Sequence, residues 1–357
     1  MPLAVTPIPP PVSADPEPSP DLRDLVCVER AHHRLLYGHE DLVHDEQAVL
    51  VGLTRQERTA RLRLLARDRA GRAVGAAHVT MPRTDNQHLA MFFPSWDPGS
   101  GADETEVYGA LWAAAEPELV AAGRSSVHCW AMHPGPENPS AATWLTPRTG
   151  TGRVAEDRRA TWLAAKGFVL EQVELYSVLE LDEAVLDRAR ESTAGGTAYR
   201  TRTWVGATPP ELRAGLARLY HRMSVDVPTG GIDYEGEHWD EAAVVADDER
   251  QAALGGVRVT TVALTQDGAP VAYTVLEHQP GVPASADQDD TFVHGEHRGH
   301  GLGLRVKAAN LLALHEAVPT VRRVHTWNAA ENAHMLAINT ALGFEERGAQ
   351  GGWQRRG

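Results

Sequence analysis

Cysteine is scarce in this sequence, since its 357 residues include only Cys27 and Cys129. These two form no C-x-x-C pair and no spacing typical of zinc ligands, so the sequence predicts neither a disulfide framework nor a cysteine-based metal centre. Basic residues are also in the minority, with 34 Lys and Arg against 48 Asp and Glu and a formal net charge of -14. Such a chain is a poor match for a nucleic-acid-binding protein, which needs a basic face to contact phosphates.

Long apolar runs are missing as well. No stretch approaches the roughly 18 apolar residues that a membrane span requires, and the N-terminus carries no basic segment followed by an apolar run. We therefore expect a cytoplasmic protein with no membrane partner and no nucleic-acid partner. Apolar residues nevertheless make up 42% of the chain, which is enough for hydrophobic cores, and the length favours two domains.

The order of local signals runs through the chain twice. Residues 1–20 are rich in proline, which lacks an amide donor, and we predict that they form a disordered lead. The segment RDRAGRAVGAAHV (67–79) then resembles LTQDGAPVAYTVL (264–276). We predict two copies of one α/β unit, an N-terminal domain over 21–190 and a C-terminal domain over 197–357.

Helix and strand signals are clearest in the second copy. A helix is predicted within Gly206–Met223, with Thr208 as its N-cap and proline in its first turn. Further helices are predicted over Leu302–Ala317 and Asn332–Leu342, the latter closed by a glycine. In the first copy, Phe168–Leu181 is predicted to form two strands.

The loop between Val293 and the helix at Leu302 has the composition of an anion site. Glycines at positions 299, 301 and 303 let the main chain turn tightly and approach a ligand closely. The first amides of the following helix have no partner within the helix, and the helix dipole adds positive charge there. This combination indicates a seat for a pyrophosphate, with Arg298 and Arg305 supplying full charges nearby.

Other interpretations of this loop are weaker but remain open. The glycines do not follow the G-x-G-x-x-G order of dinucleotide-binding loops and lie late in the chain, and G-x-x-x-x-G-K-[ST] is absent. His294, His297 and His300 recur every third residue, which would suggest a metal only if they lay on a helix, and the glycines disfavour one. We therefore predict no metal site. A glycine-rich helix start without a ligand is the remaining alternative.

In this context the sequence resembles the GNAT superfamily of N-acetyltransferases. The family's acetyl-CoA loop reads [Q/R]-x-x-G-x-[G/A] between a strand and a helix, and here Arg298-Gly-His-Gly301-Leu-Gly303 occupies that position. The resemblance covers roughly 200–357 and includes the closing Gly343-Phe344 pair. The first copy keeps Lys166-Gly167-Phe168 but has Gly-Ser-Gly-Ala-Asp (99–103) in place of the cofactor loop.

The resemblance implies an α/β fold of two tandem GNAT-like domains, each with a mixed, mostly antiparallel central sheet flanked by helices. The arrangement is similar in architecture to tandem enzymes such as the mycothiol synthases, in which the C-terminal copy is active. Acetyl-CoA is the cofactor that the resemblance implies. Its pyrophosphate would rest on the amides of Arg298, Gly299, His300, Gly301, Leu302, Gly303 and Leu304, its pantetheine arm would follow Thr291, Phe292 and Val293, and Asn328 and Asn332 would be polar contacts. Asn332 is equally well explained as a helix cap.

Amide formation needs a base, because an ammonium cannot attack a thioester. Family members often place a carboxylate on the strand before the loop, so Asp287 and Asp289 are candidates, with Glu277 on the neighbouring strand as a third. Asp290 would face the other way unless a bulge intervenes. A tyrosine that the family frequently uses to protonate the departing thiolate is replaced by Asn339, and the general acid stays unassigned.

The resemblance predicts direct transfer of an acetyl group to a primary amine of a small molecule, by a monomer or homodimer. The acidic run Asp233–Glu241 precedes the strands, at the place where the family's acceptor-binding helices usually lie, and it would attract a cationic amine or merely be solvated. Two alternatives remain: an acetyltransferase acting on a protein amine, and an acyl-CoA-binding sensor without turnover.

Overall fold

The computed structural model describes residues 3–11, 17–133, 143–194 and 198–357. Its elements form two successions with the same order: a strand, two helices, three strands, a helix, a strand, a helix and a final strand. The first half contains β1 (Ala4–Ile8), α1 (Pro20–Tyr37), α2 (Glu46–Thr54), β2 (Thr59–Arg67), β3 (Ala73–Pro82), β4 (Leu89–Trp96), α3 (Glu104–Ala121), β5 (Ser126–His133), the short strands β6 (Trp144–Leu145) and β7 (Val154–Ala155), α4 (Arg158–Ala165) and β8 (Val169–Glu180).

The second half begins after one connecting helix, α5 (Glu183–Thr193). It contains β9 (Arg200–Val205), α6 (Pro210–Asp226), α7 (Glu241–Ala253), β10 (Val257–Leu264), β11 (Pro270–His278), β12 (Ser285–Val293), α8 (Leu302–Ala317), β13 (Arg323–Ala329), α9 (Ala333–Leu342) and β14 (Glu345–Arg356). The matching order confirms the predicted repetition of one α/β unit.

Helix ends follow the local sequence rules. The hydroxyl of Ser19 accepts a hydrogen bond from the amide of Leu22 at the start of α1, and Gly38 ends that helix in the left-handed conformation. Asn332 caps α9 in the same way, and Gly343 closes it with φ of 104°. Thr208 was predicted to cap α6, but this is wrong: Pro209 takes the N-cap position.

Twelve strands form one continuous sheet in the order β1-β2-β3-β4-β5-β14-β8-β13-β12-β11-β10-β9. Near the middle of the sheet, the two halves exchange strands. β14, from the end of the chain, pairs antiparallel with β5 of the first half, and β8 of the first half pairs antiparallel with β13 of the second. Each half therefore contributes a strand to the sheet of the other. The domain boundary that we place between residues 190 and 197 stays a prediction.

Two sequence expectations differ from the structure, and one strand received no prediction. Ala4–Ile8 were predicted to lie in a disordered lead, but they pair with β2 as an edge strand, where the proline at position 7 is tolerated. Phe168–Leu181 were predicted as two strands and form one, because β8 runs unbroken between two partners. Residues 345–356 received no prediction, although they form the strand at the centre of the sheet.

The only parallel pairs in the described sheet are β4 with β5 and β12 with β13. Each pair holds together for three residues, ending at Met91 opposite His128 and at Asp287 opposite His325. Beyond Asp287, β12 continues to Val293 without pairing to β13. The two strands thus diverge in front of the N-terminus of α8.

Candidate functional site

A cavity of about 270 Å³ lies where β12 and β13 diverge, and we call it the arm cavity. Its walls come from both strands, from α8 and α9, and from the segment after α6. The lining includes Gln288, Asp289, Asp290, Thr291, Lys307, Thr326, Trp327, Asn328, Ala329, Asn332, Glu174, Met223, Val227, Pro228 and Met335. Of the predicted cofactor contacts, the arm cavity brings together Thr291, Asn328 and Asn332.

The glycine loop leads directly into α8. Gly299 and Gly301 have φ of 81° and 68°, and a Cβ added to either would meet no atom within 4 Å. Gly301 is the N-cap of α8, and within the described part of the chain no side chain caps this helix. The first amides of α8, beginning with Leu302, are therefore available to an anion.

The flanks of the glycine loop fix its position. Arg298 donates from Nε to the carbonyl of Val293 at 3.2 Å, and its guanidinium lies 6.0 Å from the ring centroid of Phe292. A Cβ at Gly303 would come within 2.8 Å of Cδ1 of Ile338, so a larger residue there would require the Ile338 side chain of α9 to move. The remaining predicted loop residues, His300 and Leu304, lie beside these positions, and His300 contacts the ring of Tyr199.

The corresponding helix of the first half is capped differently. Asp103 accepts hydrogen bonds from the amides of Thr105 at 2.9 Å and Glu106 at 3.2 Å, and it also pairs with Arg158. Glu104 and Glu106 add negative charge to the first turn of α3. The protein's own carboxylate thus fills the anion position, and a pyrophosphate there would meet like charges.

The two predicted asparagines have partners within the protein. Asn332 accepts a hydrogen bond from the amide of Met335 at 3.2 Å, so it is the helix cap that was one of its two interpretations. Asn328 accepts from Nδ2 of Asn339 at 2.5 Å. The residue that replaces the family tyrosine therefore stabilises the wall of the arm cavity, and its own Oδ1 is buried without a partner among the described residues.

A β-bulge changes the direction of the carboxylates on β12. Thr274 of β11 pairs with Thr291, whereas Leu276 pairs with Gln288, so β12 has one extra residue between these points. Both Asp289 and Asp290 consequently line the arm cavity, which a regular strand would not allow.

These two carboxyl groups influence each other. Exclusion of bulk water by the surrounding protein raises the pKa of Asp289 well above its ordinary value, and the neighbouring charge of Asp290 raises it further. Burial likewise raises the pKa of Asp290 to about 6, although the hydroxyl of Tyr273 opposes this by donating to Asp290 at 3.1 Å. The pair holds a proton near neutral pH and can exchange it.

The other two predicted bases occupy different positions. Glu277 accepts from Nη2 of Arg258 at 2.7 Å and from Gln251 at 2.6 Å, which commits it to an ion-pair network. Asp287 lies outside the lining of the arm cavity and opposite His325. Burial, and then the charges of Glu277 and Asp41, raise the pKa of Asp287 to about 7.

A second cavity, of about 420 Å³, adjoins the arm cavity at Asp289 and Asp290, and we call it the aromatic bay. Glu237 lines the bay and accepts hydrogen bonds from the hydroxyl of Tyr234 and from Nε1 of Trp239, the latter at 3.0 Å. Aromatic, acidic and apolar side chains from both halves line the bay, including Met91, His128, Trp130, Glu174, Tyr220, Tyr234, Glu237, Trp239, Asp247 and Arg258. Part of the acidic run Asp233–Glu241 thus lines a cavity.

Two residues that line the cavities were not predicted from the sequence as functional residues. Lys307 lies on α8 with 1% of its surface exposed, and its Nζ is 5.2 Å from the ring centroid of Phe344. Burial lowers the pKa of Lys307 to about 7. Glu174 lies on β8 and borders both cavities; burial, and then the charge of Glu331, raise its pKa to about 7. Only the strand exchange brings Glu174 here, and Lys307 resembles any other helix lysine in sequence.

Two groups of three side chains place potential metal-ligand atoms close together. His294, Glu296 and His297 present ligand atoms within 4.8 Å of one another, and the same holds for His39, Asp41 and His325. In the second group Arg323 already neutralises Asp41, at 2.6 Å from Nε. In the first, Nδ1 of His297 lies 2.9 Å from the hydroxyl of Tyr199. Each group thus has an alternative partner that competes with a metal.

Solved structures with this architecture define the fold. A tandem GNAT protein from the clavulanic acid biosynthesis pathway superposes with a TM-score of 0.74 at 24% identity, over 99% of this chain and 98% of that one. A GCN5-related N-acetyltransferase from Sphaerobacter thermophilus gives 0.60 at 12% identity, over 99% and 95%. A glucosamine N-acetyltransferase region of a fungal multi-domain β-N-acetylglucosaminidase gives 0.56 at 15%, over 99% of this chain and 38% of that one.

The chain therefore has the tandem GNAT fold, as the loop motif predicted. No protein-family model and no curated protein matches the sequence. None of the described helices combines the length and the apolar character needed to cross a membrane.

Proposed function

We propose that the protein transfers an acetyl group from acetyl-CoA to a primary amine of a small molecule. The observation that carries this proposal is the continuity of the site. The uncapped N-terminus of α8 lies five residues before Lys307, which lines the arm cavity, and that cavity adjoins the aromatic bay at Asp289 and Asp290. The tandem GNAT fold supports acyl transfer in general, and the features of this chain support the choice of donor and acceptor.

The residues of the second half fit a nucleotide diphosphate with a long extended arm. The amides that follow Gly301 would hold the pyrophosphate, and the diverging strands provide a slot for the arm in front of α8. The side of β12 that faces β13 is unpaired beyond Asp287 and can offer main-chain groups to the arm. In the first half, Asp103 occupies the equivalent position, so we infer one acyl-CoA site per chain.

Bound acetyl-CoA supplies the activated acetyl group, and the protein supplies the base. We assign this role to Asp289, with Asp290 sharing the proton, because both lie where the arm cavity meets the bay. The carboxylate takes a proton from the ammonium of the acceptor, and the neutral nitrogen then attacks the carbonyl carbon. The carbon–sulfur bond breaks and the sulfur leaves as a thiolate with the electron pair. The proton that the attacking nitrogen loses as the amide forms passes through solvent to the thiolate, which gives the free thiol.

The acceptor enters from the side of the aromatic bay. Its wall combines aromatic and apolar surface with the carboxylate of Glu237, which suits an amine that is cationic in solution, whereas Asp247 is paired with Arg250 and Arg258. Residues of both halves enclose the bay, and this supports a small molecule over an amine on a folded protein. The segment from Met223 to Trp239, which carries the acidic run, forms much of the enclosure.

Steady-state thiol release tests the proposal. The chain is mixed with acetyl-CoA and a panel of small primary amines, and free thiol is measured together with acetylated product by mass spectrometry. The proposal expects at least one amine to give equal amounts of thiol and acetylated amine. Saturable binding of acetyl-CoA without product for any amine would instead support the sensor alternative, and product only with peptide amines would support the protein acetyltransferase.

A further inference from the structure

A third cavity, of about 480 Å³, lies between the two halves, and we call it the arginine cavity. It adjoins the aromatic bay at Asp289 and Arg250, which border both. The first half contributes His44, Arg55, Arg61, Arg63 and His78, and the second contributes Arg250, Gln251, Glu277, Gln279, Asp287, Gln288, Asp289 and Trp327. The proposed function leaves this cavity without a role.

Two arginines of β2 enter the arginine cavity from the same side of the strand. Arg61 and Arg63 are two residues apart, so their side chains share one face of the sheet. Arg61 donates from Nη1 to the carbonyls of Arg55 at 2.9 Å and Thr59 at 3.2 Å. Among the described residues no carboxylate lies within ion-pair distance of either arginine.

Arg63 is the more constrained of the two. Only 6% of it is exposed, its Nη1 donates to the carbonyl of Leu62 at 3.3 Å, and its Nε is buried with no partner among the described residues. Burial lowers the pKa of Arg63 to about 10, against the opposing charge of Glu29. Glu29 itself pairs with His78, the residue opposite Arg63 on β3.

Residues of β12 and β13 also contribute unpaired polar atoms to the lining of the arginine cavity. Oδ1 of Asp287, Oε1 of Gln288 and Nε1 of Trp327 are buried without a hydrogen-bond partner among the described residues. A buried polar group without a partner typically costs about 1–3 kcal/mol, and an unpaired buried charge costs more. Arg61 and Arg63 of β2 thus border the cavity without a carboxylate partner among the described residues, and Asp287 of β12 borders it with an unpaired Oδ1.

We propose that the arginine cavity binds the anionic group of the acceptor, so that the acceptor is a zwitterion of the amino-acid type. Its carboxylate contacts Arg61 and Arg63, and its amine lies towards Asp287 and Asp289. This inference rests on the proposed function, because it names the substrate class of that same site. The first half has no anion-binding site at α3, and the inference gives it a role in selecting the substrate.

Pairs of amines that differ by one anionic group provide the test. Lysine is compared with 1,5-diaminopentane, ornithine with 1,4-diaminobutane, and phosphoethanolamine with ethanolamine, so that carboxylate and phosphate are distinguished. The wild-type protein is expected to give a kcat/KM at least about 10-fold higher for the anionic member of a pair, as expected for a charged hydrogen-bonded contact. Equal or faster reaction of the members without an anion overturns the inference.

Variants then assign the preference to β2. Arg61→Gln and Arg63→Gln are expected to raise the KM of the anionic acceptor about 10- to 100-fold and to leave the KM of acetyl-CoA unchanged. Arg63→Lys is expected to restore part of the preference. Arg67→Gln is the matched control, because Arg67 lies on the same strand but pairs with Asp21 and Asp24 outside the cavity. An unchanged preference in both Gln variants contradicts the inference.

Binding without turnover separates this inference from the proposed function. Calorimetry with lysine and with phosphoethanolamine is performed on the wild type and on Arg61→Gln, with circular dichroism as a check of folding. Heat that is lost in the variant, together with no acetyl transfer, would support the subsite and refute the proposed function. Acetyl transfer to amines without an anion, together with no heat from either ligand, would support the proposed function and refute the subsite.

Discussion

Replacing Asp287 by asparagine tests the electrostatics of the divergent strands. Burial, and then Glu277 and Asp41, raise the pKa of this carboxyl from 3.8 to about 7, whereas the unfolded chain keeps the lower value. Between these pH values the unfolded state has lost the proton and the folded state retains it, so stability falls as pH rises through this window. Asparagine has nearly the same shape and does not ionise.

The magnitude follows from the size of the shift. One pKa unit corresponds to about 1.4 kcal/mol. The raised pKa of Asp287 therefore lowers the free energy of unfolding by at most roughly 4 kcal/mol above pH 7 and by roughly 1.5 kcal/mol at pH 5. Because Asp287 borders the arginine cavity, solvent screening lowers both figures. We expect Asp287→Asn to remove about 2 kcal/mol of the loss of stability between pH 5 and pH 8.

Urea unfolding at the two pH values measures this difference. The free energies of unfolding of the wild type and the variant are each compared between pH 5 and pH 8, with Glu316→Gln as a control on the exposed surface of α8. If the variant and the wild type lose the same stability over this range, or if Asp287 makes the wild type more stable at pH 8, the assigned pKa shift is wrong.

Three further outcomes follow from the structure. Asp289→Asn should lower kcat about 100-fold or more and remove the acid limb of the pH–rate profile, which lies at higher pH than an ordinary aspartate would give because burial raises the pKa of Asp289, while an unchanged profile would exclude Asp289. Lys307→Met should be more stable than the wild type near pH 7, with the gap closing towards pH 10.5, since the unfolded chain alone binds that proton over this range; urea unfolding would contradict this if the gap were constant. Deleting residues 345–357 should unfold both halves in one transition of the circular dichroism signal, because β14 separates β5 from β8; an intact second half would contradict that.

The fold of the second half was largely predictable because its signals are local. Glycines in the loop, the cap at Asn332 and the closing Gly343 each act within a few residues, and α8 spans Leu302–Ala317 as predicted. The repeated order of elements was readable for the same reason. A family motif then related these local signals to a tandem architecture.

The strand exchange was not predictable, because it depends on pairing between residues far apart in sequence. Gly352 of β14 pairs with Trp130 and with Gln172, and no local pattern specifies those partners. The same limit applied to the bulge on β12, which brings Asp290 into the arm cavity. Glu174 and the two arginines of β2 reach the site only because the exchanged sheet joins the halves.

The first half has lost its own anion seat but forms part of the site. Asp103 caps α3. Met91 of β4 and Asp287 of β12 occupy corresponding positions, because each is the last residue of its strand that pairs with the neighbouring parallel strand. The same half contributes Trp130 and Glu174 to the aromatic bay and Arg63 to the arginine cavity. The first half therefore lines both cavities, although Asp103 caps its own helix α3.

Calorimetric titration with acetyl-CoA tests most directly the claim that the loop before α8 is the cofactor-binding site. Gly301 and Gly101 have φ of 68° and 75° and equally open surroundings, so valine strains the main chain similarly at either position. The account predicts one molecule bound per wild-type chain, binding at least about 10-fold weaker in Gly301→Val, and unchanged binding in Gly101→Val. No heat with the wild type, or equal weakening in both variants, would contradict it.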